Sequence, residues 1–132
     1  MHYADLKFVI QKSTIYDKYL LNRAAIHNKI GIKIIIGGRF KDDLNGDLDY
    51  ISQNLDNPSA SKRIVSKLSN IVSLLKENPY TFPLYHDDVL AKEGLRYTII
   101  NNYLLFYKVH EKDQTVELSR FIFGSRNITD IF

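Results

Sequence analysis

Between Leu95 and Asn127 the chain leaves itself little choice of fold. The stretch reads as three successive strands. The first break is Asn101-Asn102, two residues that tolerate positive φ and suit a tight hairpin. The second is Glu111–Gln114, polar and charged between two β-rich runs. The strands hold Tyr97, Tyr103, Phe106, Tyr107, Phe121 and Phe123, with Ile99, Ile100, Val109, Val116 and Ile122. Aromatic and β-branched side chains fit a pleated, half-buried surface. A meander of this kind needs an apolar layer on at least one face, and the rest of the chain must supply it.

Two amphipathic stretches can do so. Over Lys41–Leu55, Leu44, Leu48, Ile51 and Leu55 form one stripe at helical spacing, with Asp42 and Asp43 suited to the positive end of the helix dipole. A second helix is expected from Pro58 to about Glu77, with Asn57 as its cap and Ile64, Leu68, Ile71, Val72 and Leu75 as its stripe. The short turn between them makes a helical hairpin. Ahead of it, Ile32–Ile36 reads as a buried strand, and Gly37-Gly38 lets the chain turn off the sheet. Asn78–Glu93, with Pro79 and Pro83, reads as a loop. Tyr80, Phe82 and Tyr85 should dock it onto the sheet while His86 and Asp87 face water. A turn and a short helical segment end the chain. The expected architecture is α+β: a helical hairpin packed on a mainly antiparallel four-stranded sheet in the order β-α-α-β-β-β.

At 132 residues the chain has one main domain as its prior. Residues 32–132 form that domain and residues 1–31 an N-terminal extension. In the extension Ile15, Tyr19, Ile26 and Ile30 lie near helical spacing over residues 14–29, with Gly31 as a natural terminator. The net charge of +3 belongs to this extension. It carries Lys7, Lys12, Lys18, Arg23 and Lys29 against Asp5 and Asp17, whereas residues 32–132 hold thirteen basic and thirteen acidic side chains. The body therefore lacks the global basic field that drives non-specific nucleic-acid binding. With no cysteine there is no disulfide framework or thiolate chemistry, which suits a cytoplasmic location. No apolar run spans a membrane. The aspartates at 42, 43, 47 and 49 lack calcium-loop spacing, so no metal is expected.

In combination these pieces resemble the RelE/ParE superfamily of type II toxins. The matching features are Lys41–Leu44, Asp49–Ile51, Asn57–Ala60, Leu75–Tyr80, Gly94–Arg96, Asn102–Val109 and Phe123–Ile128. The resemblance covers residues 32–132 and implies a cognate antitoxin partner and a toxin–antitoxin hetero-oligomer, with no cofactor. One branch of the superfamily cleaves mRNA on the ribosome, which needs cations for the phosphate and groups that move protons. The position that holds an arginine in that branch is Leu104 here, and the position resembling its terminal tyrosine is Phe132. Arg126 matches a family arginine. Arg96 and Arg126 would be catalytic only in a nuclease, and Arg120 and Tyr103 are candidate target or phosphate contacts. Tyr97, Tyr103 and His110 could move protons only if they share a face with Arg126. The other branch poisons DNA gyrase through a protein surface, and this chain departs from the nucleases in the same places. Gyrase poisoning is thus the leading expectation. Ribosome-dependent mRNA cleavage is the alternative, and a non-toxic antitoxin-binding homologue the third.

Overall fold

A computed structural model describes residues 31–124 and 128–132. The helix expected over residues 14–29 and the site residue Arg126 lie outside them.

The chain runs β1 (Lys33–Ile36), α1 (Gly38–Asp49), a π-helical segment (Tyr50–Asn54), α2 (Pro58–Glu77), α3 (Asp88–Lys92), β2 (Leu95–Ile100), β3 (Tyr103–His110), β4 (Thr115–Phe123) and α4 (Ile128–Ile131). The sheet order is β1-β4-β3-β2. β1 runs parallel to β4, while β2–β3 and β3–β4 are antiparallel. This is the expected α+β architecture, with a mixed sheet. Asn101 turns the β2–β3 hairpin at φ 54°, a conformation asparagine tolerates.

The hairpin covers one face of the sheet. Phe40, Leu44 and Leu48 of α1 and Ile64, Leu68, Val72 and Leu75 of α2 pack against Leu105, Tyr107, Val116, Leu118 and Phe121. Fully burying each such side chain contributes about 1.5–3 kcal/mol. The opposite face holds a smaller cluster, in which Leu95, Phe106 and Ile122 meet Tyr85, Leu90 and Ile128. The loop after α2 thus supplies Tyr85 and α3 to this second face. α3 is a helical turn that the expected loop did not include, and Asp87 caps it by accepting the Leu90 N–H at 3.0 Å.

α1 starts three residues before the expected Lys41. Gly37 is its N-cap, and the Gly37 N–H donates to the Leu118 carbonyl at 3.0 Å. A Cβ on Gly37 would lie 2.8 Å from that oxygen, so the close approach requires glycine. The early start moves Asp42 and Asp43 beyond the first turn, so they do not serve its dipole as expected. At the far end the i→i+5 bond from Leu55 N–H to Tyr50 O widens the helix. Leu55 thereby leaves the apolar stripe and is 56% exposed. α2 follows expectation. Asn57 accepts the Ala60 N–H at 3.2 Å, and Pro58 occupies the first turn.

Candidate functional site

Strand alternation decides which candidate residues can act together. Arg96 lies opposite Tyr107 on the helix-covered face. Arg120 lies opposite Phe106 on the other face. Simple alternation would have set Arg120 beside Val116 and Leu118. A bulge at Ser119, seen as the register step from Leu118↔Tyr107 to Arg120↔Phe106, changes the phase of the strand. The two arginines therefore do not converge on one phosphate.

Each is also engaged. Arg120 Nε donates to Asp43 Oδ2 at 2.7 Å and Nη2 to Asp43 Oδ1 at 3.1 Å. Its Nη1 reaches the Ile131 carbonyl at 3.2 Å, and the Phe132 ring lies 5.8 Å from its guanidinium carbon. Side-chain exposure is 14% for Arg120 and 18% for Asp43. Tyr103 is buried and stacks on Phe121, ring centroids 5.0 Å apart. On the second face, Leu104 packs against the smaller cluster and Phe132 sets its ring edge against Phe106 at 5.0 Å. Tyr97 belongs to the same face. So does His110, whose Nε2 lies 2.9 Å from Glu117 Oε1. Tyr103 is on the helix side, so the three candidate proton carriers are divided between the faces.

Arg96 has a more chemical neighbourhood. Its Nη1 donates to the Phe82 carbonyl at 2.7 Å, and its guanidinium carbon stands 5.0 Å over the Tyr80 ring. The Tyr80 hydroxyl donates a short hydrogen bond to Glu111 Oε1 in the β3–β4 turn. That bond to Glu111 raises the Tyr80 pKa above its usual value. Arg96, Tyr80 and Glu111 line an open groove of about 470 Å³ together with His110, Lys112 and Asp113. Tyr80 and Glu111 carried no sequence signal as a pair, because 31 residues separate them. The mark available was Tyr80 following Pro79 at the end of α2.

A larger groove of about 850 Å³ lies between the helical hairpin and the Asn101–Asn102 turn, with Asp42, Asp43, Asp47, Tyr50 and Phe123 in its wall. Among the described residues no three His, Asp or Glu side chains gather as a metal site. Among them, too, no helix is long and apolar enough to cross a membrane.

A hairpin of helices on a mixed four-stranded sheet, closed by a C-terminal helical turn, is the architecture of the RelE/ParE toxins. A family model for the ParE toxin of the parDE type II toxin–antitoxin system matches residues 34–128, and the chain belongs to that family. Two solved structures share the fold. One is the RelBE2 toxin–antitoxin complex of Mycobacterium tuberculosis, at 17% identity and TM-score 0.50, with 71% of this chain and 99% of that chain covered. The other is the chromosomal ParDE system of P. aeruginosa, at 14% identity and TM-score 0.54, with 69% and 94% covered. Among curated protein sequences none matches significantly.

Proposed function

We propose that the protein is a toxin that arrests growth by poisoning DNA gyrase in the cytoplasm, and that a cognate antitoxin binds and silences it. The observation that supports gyrase over RNA is the dispersal of the cations. Arg96 and Arg120 occupy opposite faces, and Arg120 is committed to Asp43. The positions where the nuclease branch holds an arginine and a tyrosine carry Leu104 and Phe132, which bind no phosphate and move no proton. A body with balanced charge also suits a protein target. Both complexes of like fold pair a toxin with an antitoxin, which supports the partner.

The groove around Arg96 favours a second reading, metal-independent RNA cleavage. Arg96 would neutralise the phosphate, and Glu111 would accept the proton of the 2′-hydroxyl as its oxygen attacks phosphorus. Tyr80 would protonate the departing 5′-oxygen, leaving a 2′,3′-cyclic phosphate and a 5′-hydroxyl.

One experiment separates the two. The purified protein is incubated with gyrase, supercoiled plasmid and ATP, and the DNA is examined after detergent and protease treatment. Linear DNA is expected. Intact plasmid, with mRNA cut in a translating extract, overturns the gyrase reading in favour of the second.

A further inference from the structure

Building on the gyrase reading, we propose that the exposed face of α2 binds the phosphate backbone of duplex DNA, so that the toxin holds the DNA beside its protein target. From Pro58 to Lys76 the helix carries Lys62, Arg63, Lys67 and Lys76, and its first acid is Glu77 at the last position. One side of α2 is buried, with Ile64, Leu68, Val72 and Leu75 against the sheet. With about 3.6 residues per turn, the opposite side presents Ser59, Arg63, Ser66, Lys67 and Asn70 in one row, with Lys62 on its flank. All six are exposed.

The placement of these charges works against the helix. Arg63 and Lys67 stand at i, i+4, where like charges repel and a Glu–Lys pair would stabilise. The first turn has no acid, and Lys62 and Arg63 follow in the second, close to the end where the dipole favours negative charge. A face shaped only for solubility interleaves acids with bases. Lys67 donates to Asn101 Oδ1, a neutral acceptor, and so keeps its charge. Among the described residues no carboxylate pairs with Lys62, Arg63 or Lys67. A polyanion placed on this face would relieve the repulsion.

A nucleic-acid backbone fits the row. Arg63 and Lys67 lie one turn apart, about 6 Å along the axis. One DNA strand carries a charge at about every 3.4 Å of its own axis, so both cations can meet phosphates of the same strand. Ser66 and Asn70 sit between and beyond them, and serine and asparagine donate to phosphate oxygens as well. The direction of approach is fixed by the neighbouring helix. Ala60 and Ile64, on the other flank of α2, meet the groove walled by Asp42, Asp43 and Asp47 of α1. DNA therefore comes from the Lys62 side, away from those aspartates. The rest of the body has balanced charge, which leaves α2 as a local cationic face on a surface otherwise suited to protein.

The test uses the full chain and a fluorescently labelled DNA duplex of about 20 base pairs, read by anisotropy between about 50 and 200 mM salt. Binding is expected with a Kd of about 10⁻⁴–10⁻⁶ M, the range of sequence-independent contacts. Lys62→Gln, Arg63→Gln and Lys67→Gln together should weaken it at least about ten-fold. They should also make the plot of log affinity against log salt shallower by about 2–3, at about 0.9 for each phosphate released. All three positions are exposed, so the melting temperature should hold. An equal loss of charge at Lys7, Lys12 and Lys18 should cost less. Binding to bare duplex needs no gyrase. If plasmid stays intact with gyrase while the α2 variant alone loses duplex binding, the gyrase reading fails and the DNA face stands. No duplex binding by the unaltered chain, an equal loss from the Lys7, Lys12 and Lys18 set, or a ten-fold preference for duplex RNA would overturn the DNA face.

Discussion

Asp43 in α1 and Arg120 in β4 grip each other through two hydrogen bonds, at 2.7 and 3.1 Å, across 77 residues of sequence. Asp43 Oδ2 also accepts the Phe121 backbone N–H at 3.0 Å. β1 pairs with β4 only as far as Leu118. Beyond it the edge of β4 would be open, and the Asp43 carboxylate takes the place of a missing strand. Charge-assisted bonds of this kind are stronger than neutral ones. The pair locks α1 to the sheet and engages Nε and Nη2 of Arg120.

Asp43→Ala should destabilise the protein by about 3 kcal/mol, because it leaves the mostly buried Arg120 charge uncompensated and the Phe121 N–H without its acceptor. Arg120→Met in the same chain should recover part of that loss, since no lone charge then remains. Urea unfolding of both variants measures it. A double variant no more stable than Asp43→Ala would show that the backbone bond dominates.

Gly37→Ala should cost about 1–3 kcal/mol. The added methyl would sit 2.8 Å from the Leu118 carbonyl and push α1 off β4. Gly38→Ala is the control, because its Cβ would meet nothing within 4 Å. Alanine there should change stability by no more than about 0.5 kcal/mol, and in the stabilising direction. Thermal melts of the two variants should move in opposite directions.

Much of this was legible in the residues themselves. The apolar stripe of α2, the Asn57 cap and the two hairpin breaks rest on local patterns, and local chemistry decided them. What escaped was set by long-range partners. Asp43 read as a helix-end charge because Phe121 and Arg120 lie nearly 80 residues away. The face that Arg120 takes was hidden too, because the Ser119 bulge, which turns its side chain to the second face, has no residue-level signature. Leu55 read as core because a helical stripe presumes 3.6 residues per turn, and the π-helical segment breaks that period. Of the candidate sites, Arg96 was visible as a residue but its neighbours Tyr80 and Glu111 were not. Glu111 enters from the β3–β4 turn and Tyr80 from the end of α2.

Tyr107 gives the protein an alkaline limit. Its side chain is fully buried, and its hydroxyl donates to the Pro79 carbonyl at 3.0 Å. Burial raises its pKa above the usual 10.0. Above pH 10 the folded state therefore retains a proton that the unfolded chain loses, and stability falls as pH rises through the folded pKa. Tyr107→Phe should lose about 1 kcal/mol at neutral pH with the hydrogen bond. It should also show a shallower decline above pH 10. Unfolding free energies at pH 8 and pH 11 compare the slopes. Equal slopes would place the alkaline sensitivity at Tyr80 or Tyr85, whose pKa values are raised as well.

The groove at Arg96 offers the sharpest functional discrimination. Tyr80→Phe and Glu111→Gln remove a proton donor and a proton acceptor with little change of shape. Tyr80 is 43% exposed and Glu111 lies in an exposed turn, so both variants should fold with nearly unchanged stability. If the protein acts on gyrase, growth arrest on induction should persist in both within about two-fold of the unaltered protein. If the groove cleaves RNA, each variant should lose about 10²–10⁴ in rate, the usual loss when a general acid or base is removed, and cells should grow through induction. The acid and base roles leave a further mark. With a tyrosine acid, cleavage should fall as Tyr80 ionises above its raised pKa. Growth curves of the induced variants, read beside primer extension on a translated message, distinguish the outcomes. Loss of arrest in Glu111→Gln, with the variant still folded and soluble, would move the active surface from a gyrase contact to this groove.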